Sequence, residues 1–182
     1  MENRFDIAAI TAENARRLAA LVDDYDPVRG VGCCGERVRV TTPVRGLDSA
    51  FVPRAMLDDP KYAVASGEKQ WRLLRCRYDF EFWCVTCVRI KPKTGYRLTP
   101  FVLNRAQRKV LAVLEDDRLA SRPIRVIVLK ARQWGCSTLI QNYMAWIQMC
   151  LRPNWSSLIC CHNKDSAVNI RRLYTDLVRD YP

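Results

Sequence analysis

The sequence predicts an α/β fold built on a parallel sheet, and three observations carry that reading. Residues 124–129 and 157–161 are apolar runs of strand length, nearly continuous in hydrophobicity, as strands covered on both faces are. Helical periodicity precedes, separates and follows them, which is the order of a βαβ unit. The composition, 49% hydrophobic and 27% charged over 182 residues, is that of a globular chain and excludes a largely disordered one.

Taken in order, residues 12–23 read as a short amphipathic helix with Ala15, Leu18, Ala19 and Val22 on one face. Asp26-Pro27 ends it, and residues 25–60 are rich in Gly, Pro and Asp. Residues 38–42 are a strand candidate there, and Pro43, Pro53 and Pro60 break up anything longer. Residues 68–90 carry Trp71, Leu74, Tyr78, Phe80, Phe82, Trp83 and Val85. The first half reads as helix and the rest as a buried apolar segment. This aromatic cluster reads as core, because no regular basic interleaving marks it as a base-stacking platform. Asn104 suits an N-cap for a helix whose Ala106, Val110, Val113 and Leu114 repeat on one face. Ser121-Arg122-Pro123 stops that helix. After the strand at 124–129, a loop at 130–135 leads to a helix at 137–151. A turn at 152–154, the strand at 157–161 and a helix at 166–178 follow. The chain thus divides into an irregular, mainly helical region, 1–97, and an α/β region, 98–182.

Charge is uneven: residues 1–60 hold 8 basic and 10 acidic side chains, residues 61–182 hold 22 and 9. The second part suits a polyanionic partner, nucleic acid or nucleotide phosphate, although a basic surface alone also accounts for it. No apolar run approaches the roughly 18 residues that span a bilayer. The opening residues mix acids and bases, unlike a secretory signal, so a soluble intracellular chain is expected. Nine cysteines, an odd number that includes two adjacent pairs, argue against a secreted disulfide framework. Cys84 and Cys87 have the CxxC spacing of metal sites. Only those two are convincingly spaced, whereas structural zinc needs four ligands, so buried thiols are the expectation and zinc is not.

The segment that carries chemistry is Lys130-Ala131-Arg132-Gln133-Trp134-Gly135-Cys136-Ser137-Thr138. Between a buried strand and a helix, successive backbone amides and the helix N-terminus cradle phosphate. Against the pattern G-x-x-x-x-G-K-[ST], Gly135 takes the second glycine and Ser137 the hydroxyl that serves Mg²⁺. Lys130 stands in place of the first glycine and Cys136 in place of the lysine. Lys130 or Arg132 can supply the missing cation from the loop's other side. An ordinary strand–Gly-x-Ser–helix turn accounts for the same spacing. Upstream, Phe101 precedes Gln107 by six positions near a helix start. A glutamine amide can pair with adenine and an aromatic ring can stack on it, while an exposed helical glutamine is the plainer reading.

Phe101-x5-Gln107, a strand, and then Lys-Ala-Arg-Gln-Trp-Gly-x-Ser-Thr-Leu resemble the ATPase domain of large terminase subunits, the DNA-packaging motors of tailed bacteriophages. The resemblance covers roughly residues 98–182, with Ile159-Cys160-Cys161-His162-Asn163-Lys164 similar to the second strand and following loop. Asp79-Phe80-Glu81-Phe82-Trp83 resembles packaging proteins of phages of gut bacteria. The resemblance implies a partial P-loop NTPase (RecA-like) domain that binds ATP with Mg²⁺ through residues 130–138. It makes Gln107 the adenine contact and Arg132 the γ-phosphate contact, and places Lys130 at the loop's start as in lambda-like members. Ser137 would serve Mg²⁺ through the nucleotide, and residues 1–97 would extend the ATPase domain. The implied partners are double-stranded DNA, a small terminase subunit, a portal protein and further copies in a ring, with no membrane. The implied setting is the cytoplasm of a bacterial host, encoded by a phage or prophage.

Cys136 departs from the pattern, since a thiol neither neutralises phosphate nor has glycine's freedom. No apolar strand ending in Asp-Glu follows residue 139, and a nuclease domain is missing. This predicts the N-terminal part of a longer machine, or the product of an interrupted gene, that binds ATP weakly and does not turn it over. The alternatives are a helicase-type P-loop ATPase, a non-catalytic nucleic-acid-binding module and an inactive prophage remnant. Helicases keep the lysine that Cys136 replaces.

Overall fold

The computed structural model describes residues 6–92, 95, 97–129 and 133–182. The first helix, α1 (Ile7–Ala19), starts where the Asp6 carboxylate accepts the Ala9 amide, and it buries none of its residues. Next comes a hairpin of β1 (Arg37–Thr41) and β2 (Ser49–Pro53), antiparallel, with Arg37 opposite Pro53 and Thr41 opposite Ser49. The two-residue alternation turns Ala50 and Val52 inward and Phe51 outward. Gly30 passes so close to this hairpin that a Cβ there would lie 1.9 Å from the Phe51 carbonyl oxygen. Its φ of 76° is in the left-handed region, so both space and conformation require glycine.

Two single turns, α2 (Arg54–Leu57) and α3 (Lys61–Val64), lead to α4 (Glu68–Tyr78) and α5 (Phe80–Cys87). Asp79 separates the last two. Its extended backbone ends α4, and its carboxylate caps α5 by accepting the Phe82 amide at 3.1 Å. A two-residue ladder joins β3 (Arg89–Ile90) to β4 (Thr99–Pro100). The remaining helices are α6 (Arg105–Leu119), α7 (Cys136–Trp146), which runs on into a π-helical turn at Ile147–Leu151, and α8 (Lys164–Arg179).

The helices expected in the first half of residues 68–90, after Asn104, at 137–151 and at 166–178 are present as α4, α6, α7 with its π-helical turn, and α8, and residues 80–87 are a buried helix. The aromatic cluster is core. Phe80 lies 5.2 Å from Tyr143, 5.5 Å from Trp146 and 6.0 Å from Trp83 between ring centroids. With Val52, Met56, Leu111 and Leu139 these rings form one apolar cluster that draws on residues from both sides of position 97.

The predicted parallel sheet is the main correction. Neither 124–129 nor 157–161 carries strand pairing, and the only sheets among the described residues are the two antiparallel pairs. Both runs lie at the surface without regular secondary structure, with Ile127 89% and Leu158 83% exposed. A β-branched run acquires strand structure only against a partner edge, and among the described residues none faces these two. The chain is mixed α/β, and no parallel sheet is present among the described residues. No helix among the described residues is long and apolar enough to cross a membrane.

Candidate functional site

The N-terminal turn of α7 is built from two sequence-distant pieces. Asn104 caps α6, its side chain accepting the Gln107 amide at 2.9 Å while the Gln107 side-chain oxygen accepts the Asn104 amide at 2.9 Å. This reciprocal capping box satisfies two first-turn donors. The same two side chains then reach the loop before α7. Asn104 Nδ2 donates to the Trp134 carbonyl at 3.1 Å and Gln107 Nε2 donates to the Gly135 carbonyl at 3.0 Å. The Gly135 carbonyl also accepts the Leu139 amide at 3.0 Å, so it begins the α7 hydrogen-bond series while anchored to α6.

Gly135 sits at the α7 N-cap with φ 83°, and a Cβ there would stand 2.7 Å from Gln107 Nε2. Glycine is thus required by conformation and by the tether together. Gln133 is left-handed as well, at φ 66°. Beyond Gly135, Cys136 is buried, Ser137 is exposed and Thr138 is half-buried. The first-turn amides of a helix lack intrahelical acceptors and carry the positive end of its dipole, so this turn with the Ser137 hydroxyl suits an anion.

The predicted site residues separate into three groups. At the α6–α7 junction Gly135 meets Gln107 and Trp134 meets Asn104, with Gln133 before them and Cys136, Ser137 and Thr138 following in the first turn of α7. Phe101 and Gln107 are each 3% exposed. Phe101 belongs to the core cluster, and both ends of the Gln107 amide are engaged, so neither offers a free face to a base. Lys130, Ala131 and Arg132 lie outside the described residues.

A second cluster escaped the sequence reading. The Asp79 carboxylate accepts from Arg37 at 2.8 and 3.1 Å and from Arg75 at 3.1 Å. Arg75 also donates to the Val28 and Pro27 carbonyls at 2.7 and 3.1 Å, and its guanidinium lies 4.0 Å from the Phe82 ring centroid. Glu81 accepts the Cys34 amide at 2.8 Å and Arg37 at 3.4 Å. Burial works to raise the Asp79 carboxyl, but Arg37 and Arg75 outweigh it and hold the group below its ordinary range. For Glu81 burial wins, and its carboxyl is pushed up. Every charge has a partner, so the network ties residues 27–37 to α4 and α5. Only the four-residue spacing of Arg75 and Asp79 hinted at it; Arg37 is 42 residues from Asp79.

Cys84 is fully buried, and Cys87 faces Cys76 rather than a ligand set. Among the described residues no three His, Cys, Asp or Glu side chains stand together as a metal site. No protein-family model, curated protein or solved structure matches the chain.

Proposed function

We propose that this chain is the nucleotide-binding portion of a DNA-packaging motor of the large terminase class, which couples ATP hydrolysis to movement of double-stranded DNA into a procapsid. The observation that carries the reading is the Lys130–Thr138 pattern leading into a helix whose start is fixed by a left-handed glycine. The anchoring of that glycine to α6 through Gln107 supports it, because a phosphate cradle must be rigid before ligand arrives.

The phosphate half of the site fits the residues present: an exposed Ser137 hydroxyl stands in the first turn of α7. The adenine half does not fit as the side chains stand, because Gln107 is buried and engaged. Gln107 is better read as a positioning residue that holds Gly135, with Asn104 holding Trp134. In this reading Lys130 and Arg132 supply the cations and Ser137 serves Mg²⁺ through the nucleotide. Bound ATP with Mg²⁺ would supply the transferable phosphoryl group. The chain itself binds and orients phosphate, and the basic excess after residue 60 faces DNA or a neighbouring copy. The small terminase subunit, portal protein and ring of copies belong to the same proposal, as does a bacterial host cytoplasm.

Titration of Mg·ATP onto the 182-residue chain tests this. Lys130→Ala should weaken binding roughly 10- to 100-fold, the worth of one charge-assisted contact, and Lys164→Ala should leave it unchanged. Equal effects, or no binding by the unaltered chain, would remove the assignment. Hydrolysis should stay at background with or without DNA, because no acidic strand is present to position water. The missing parallel sheet favours a second reading, a non-catalytic nucleic-acid-binding module. Salt-dependent DNA binding in a chain that ignores ATP would select it.

A further inference from the structure

Three thiols from separate elements converge beside α5. Cys76 Sγ on α4 lies 4.0 Å from Cys87 Sγ at the end of α5, and both residues are only 7% exposed. Cys87 helps push up the thiol of Cys150, which lies on the π-helical turn, and Tyr181 works to lower both Cys87 and Cys150. Tyr181 also accepts the Trp83 indole N–H at 3.1 Å and is itself exposed, so it links this cluster to the surface. The Cys76 backbone is pinned, because its carbonyl accepts the Trp146 indole N–H at 2.7 Å.

We propose that Cys87 and Cys76 form an oxidisable dithiol, with Cys87 the thiol that attacks a hydroperoxide and Cys76 the thiol that resolves it. The sulfurs need to close from 4.0 Å to about 2.05 Å. Cys84 is the nearer cysteine in sequence, three residues away, but the fold presents Cys76 to Cys87. The pair is chemically unequal. Hydrogen bonds from Cys76 and Tyr181, with the nearby Arg89 charge, favour the Cys87 thiolate, and Cys76 is pushed up as the partner that keeps its proton.

In the first step the Cys87 thiolate attacks a peroxide oxygen. An S–O bond forms, the O–O bond breaks, and the leaving oxygen takes a proton to depart as water or alcohol. In the second, Cys76 sulfur attacks Cys87 sulfur, forming S–S and breaking S–O. The Cys76 proton leaves with the hydroxide as water. Two electrons pass from the thiols to the peroxide, and a small dithiol reverses the change.

The test treats the 182-residue chain with hydrogen peroxide, blocks remaining thiols by alkylation and digests it with trypsin without reduction. The expected product links the dipeptide 76–77 to the peptide 78–89, with fragmentation placing the bond on Cys87, and two of the nine thiols escape alkylation. Cys76→Ser should instead leave Cys87 as a sulfenic acid that a 1,3-diketone captures, and Cys84→Ser should leave the cross-link unchanged. A Cys84–Cys87 bridge, a Cys87–Cys150 bridge or nine alkylated thiols would overturn the proposal. The mapping on the unaltered chain decides even where a variant fails to fold.

Discussion

Residues 25–90 and the two runs at 124–129 and 157–161 are all rich in apolar side chains, yet the first region buries many of them and the two runs do not. Val52, Met56 and Trp83 are sealed from solvent, while Ile127, Leu129 and Leu158 are open to it. The difference lies in partners. The β1–β2 hairpin, α4 and α5 meet one another and α7, and the Arg37–Arg75–Asp79–Glu81 network locks the chain around them. Residues 124–129 and 157–161 have no facing edge among the described residues, so hydrophobicity alone leaves them irregular at the surface. Apolar sequence creates a demand for burial, and topology decides whether it is met.

The largest effect that would sharpen this contrast is expected at Asp79. Asp79→Asn leaves Arg75 buried without its counter-charge and Arg37 with only the longer contact to Glu81, and should lower stability by about 3–5 kcal/mol in urea unfolding. The pH dependence follows. Free aspartate titrates near about 3.9, and the folded value lies below that. The contribution of Asp79 is therefore complete above the free value and is lost as pH falls through the folded one. Glu81, shifted the opposite way by burial, favours its protonated form and works against that loss. Asp79→Asn should lack the Asp79 portion of the acid limb; an unchanged acid limb would show that the network contributes little.

Next comes the seam between the regions. Gly135→Ala must hold a left-handed φ and displace the Gln107 amide, and should cost about 1–3 kcal/mol in thermal unfolding. Asn104→Ala removes the α6 cap and the Trp134 tether, for about 1 kcal/mol. At the small end, Ile127→Ser should change stability by less than about 0.5 kcal/mol, as surface substitutions do. A cost there as large as at Asp79 would break the comparison, because it would mean Ile127 is buried in solution.

These contrasts also mark what was legible beforehand. Local signals translated well: Asn104 with its helical stripe became α6, and residues 166–178 became the centre of α8. A helix makes its hydrogen bonds within itself, so its residues announce it. The strand of residues 38–42 was visible, but its partner, residues 49–53, was not, because pairing is set by register and contact rather than by composition. The same reason explains the error at 124–129 and 157–161, where strand-like residues went unpaired. At the candidate site, the glycine, the hydroxyl and the N-cap were legible. The tether from Gln107 to Gly135 was not, since it joins residues 28 apart.

Hydrogen exchange on the full chain, resolved by segment, tests the central contrast most directly. Amides in 80–87 and 105–119 should exchange only through the rarest openings, while those in 124–129 and 157–161 should exchange near the rate of unstructured chain. Protection of residues 124–129 equal to that of α5 would contradict the account and restore the parallel sheet.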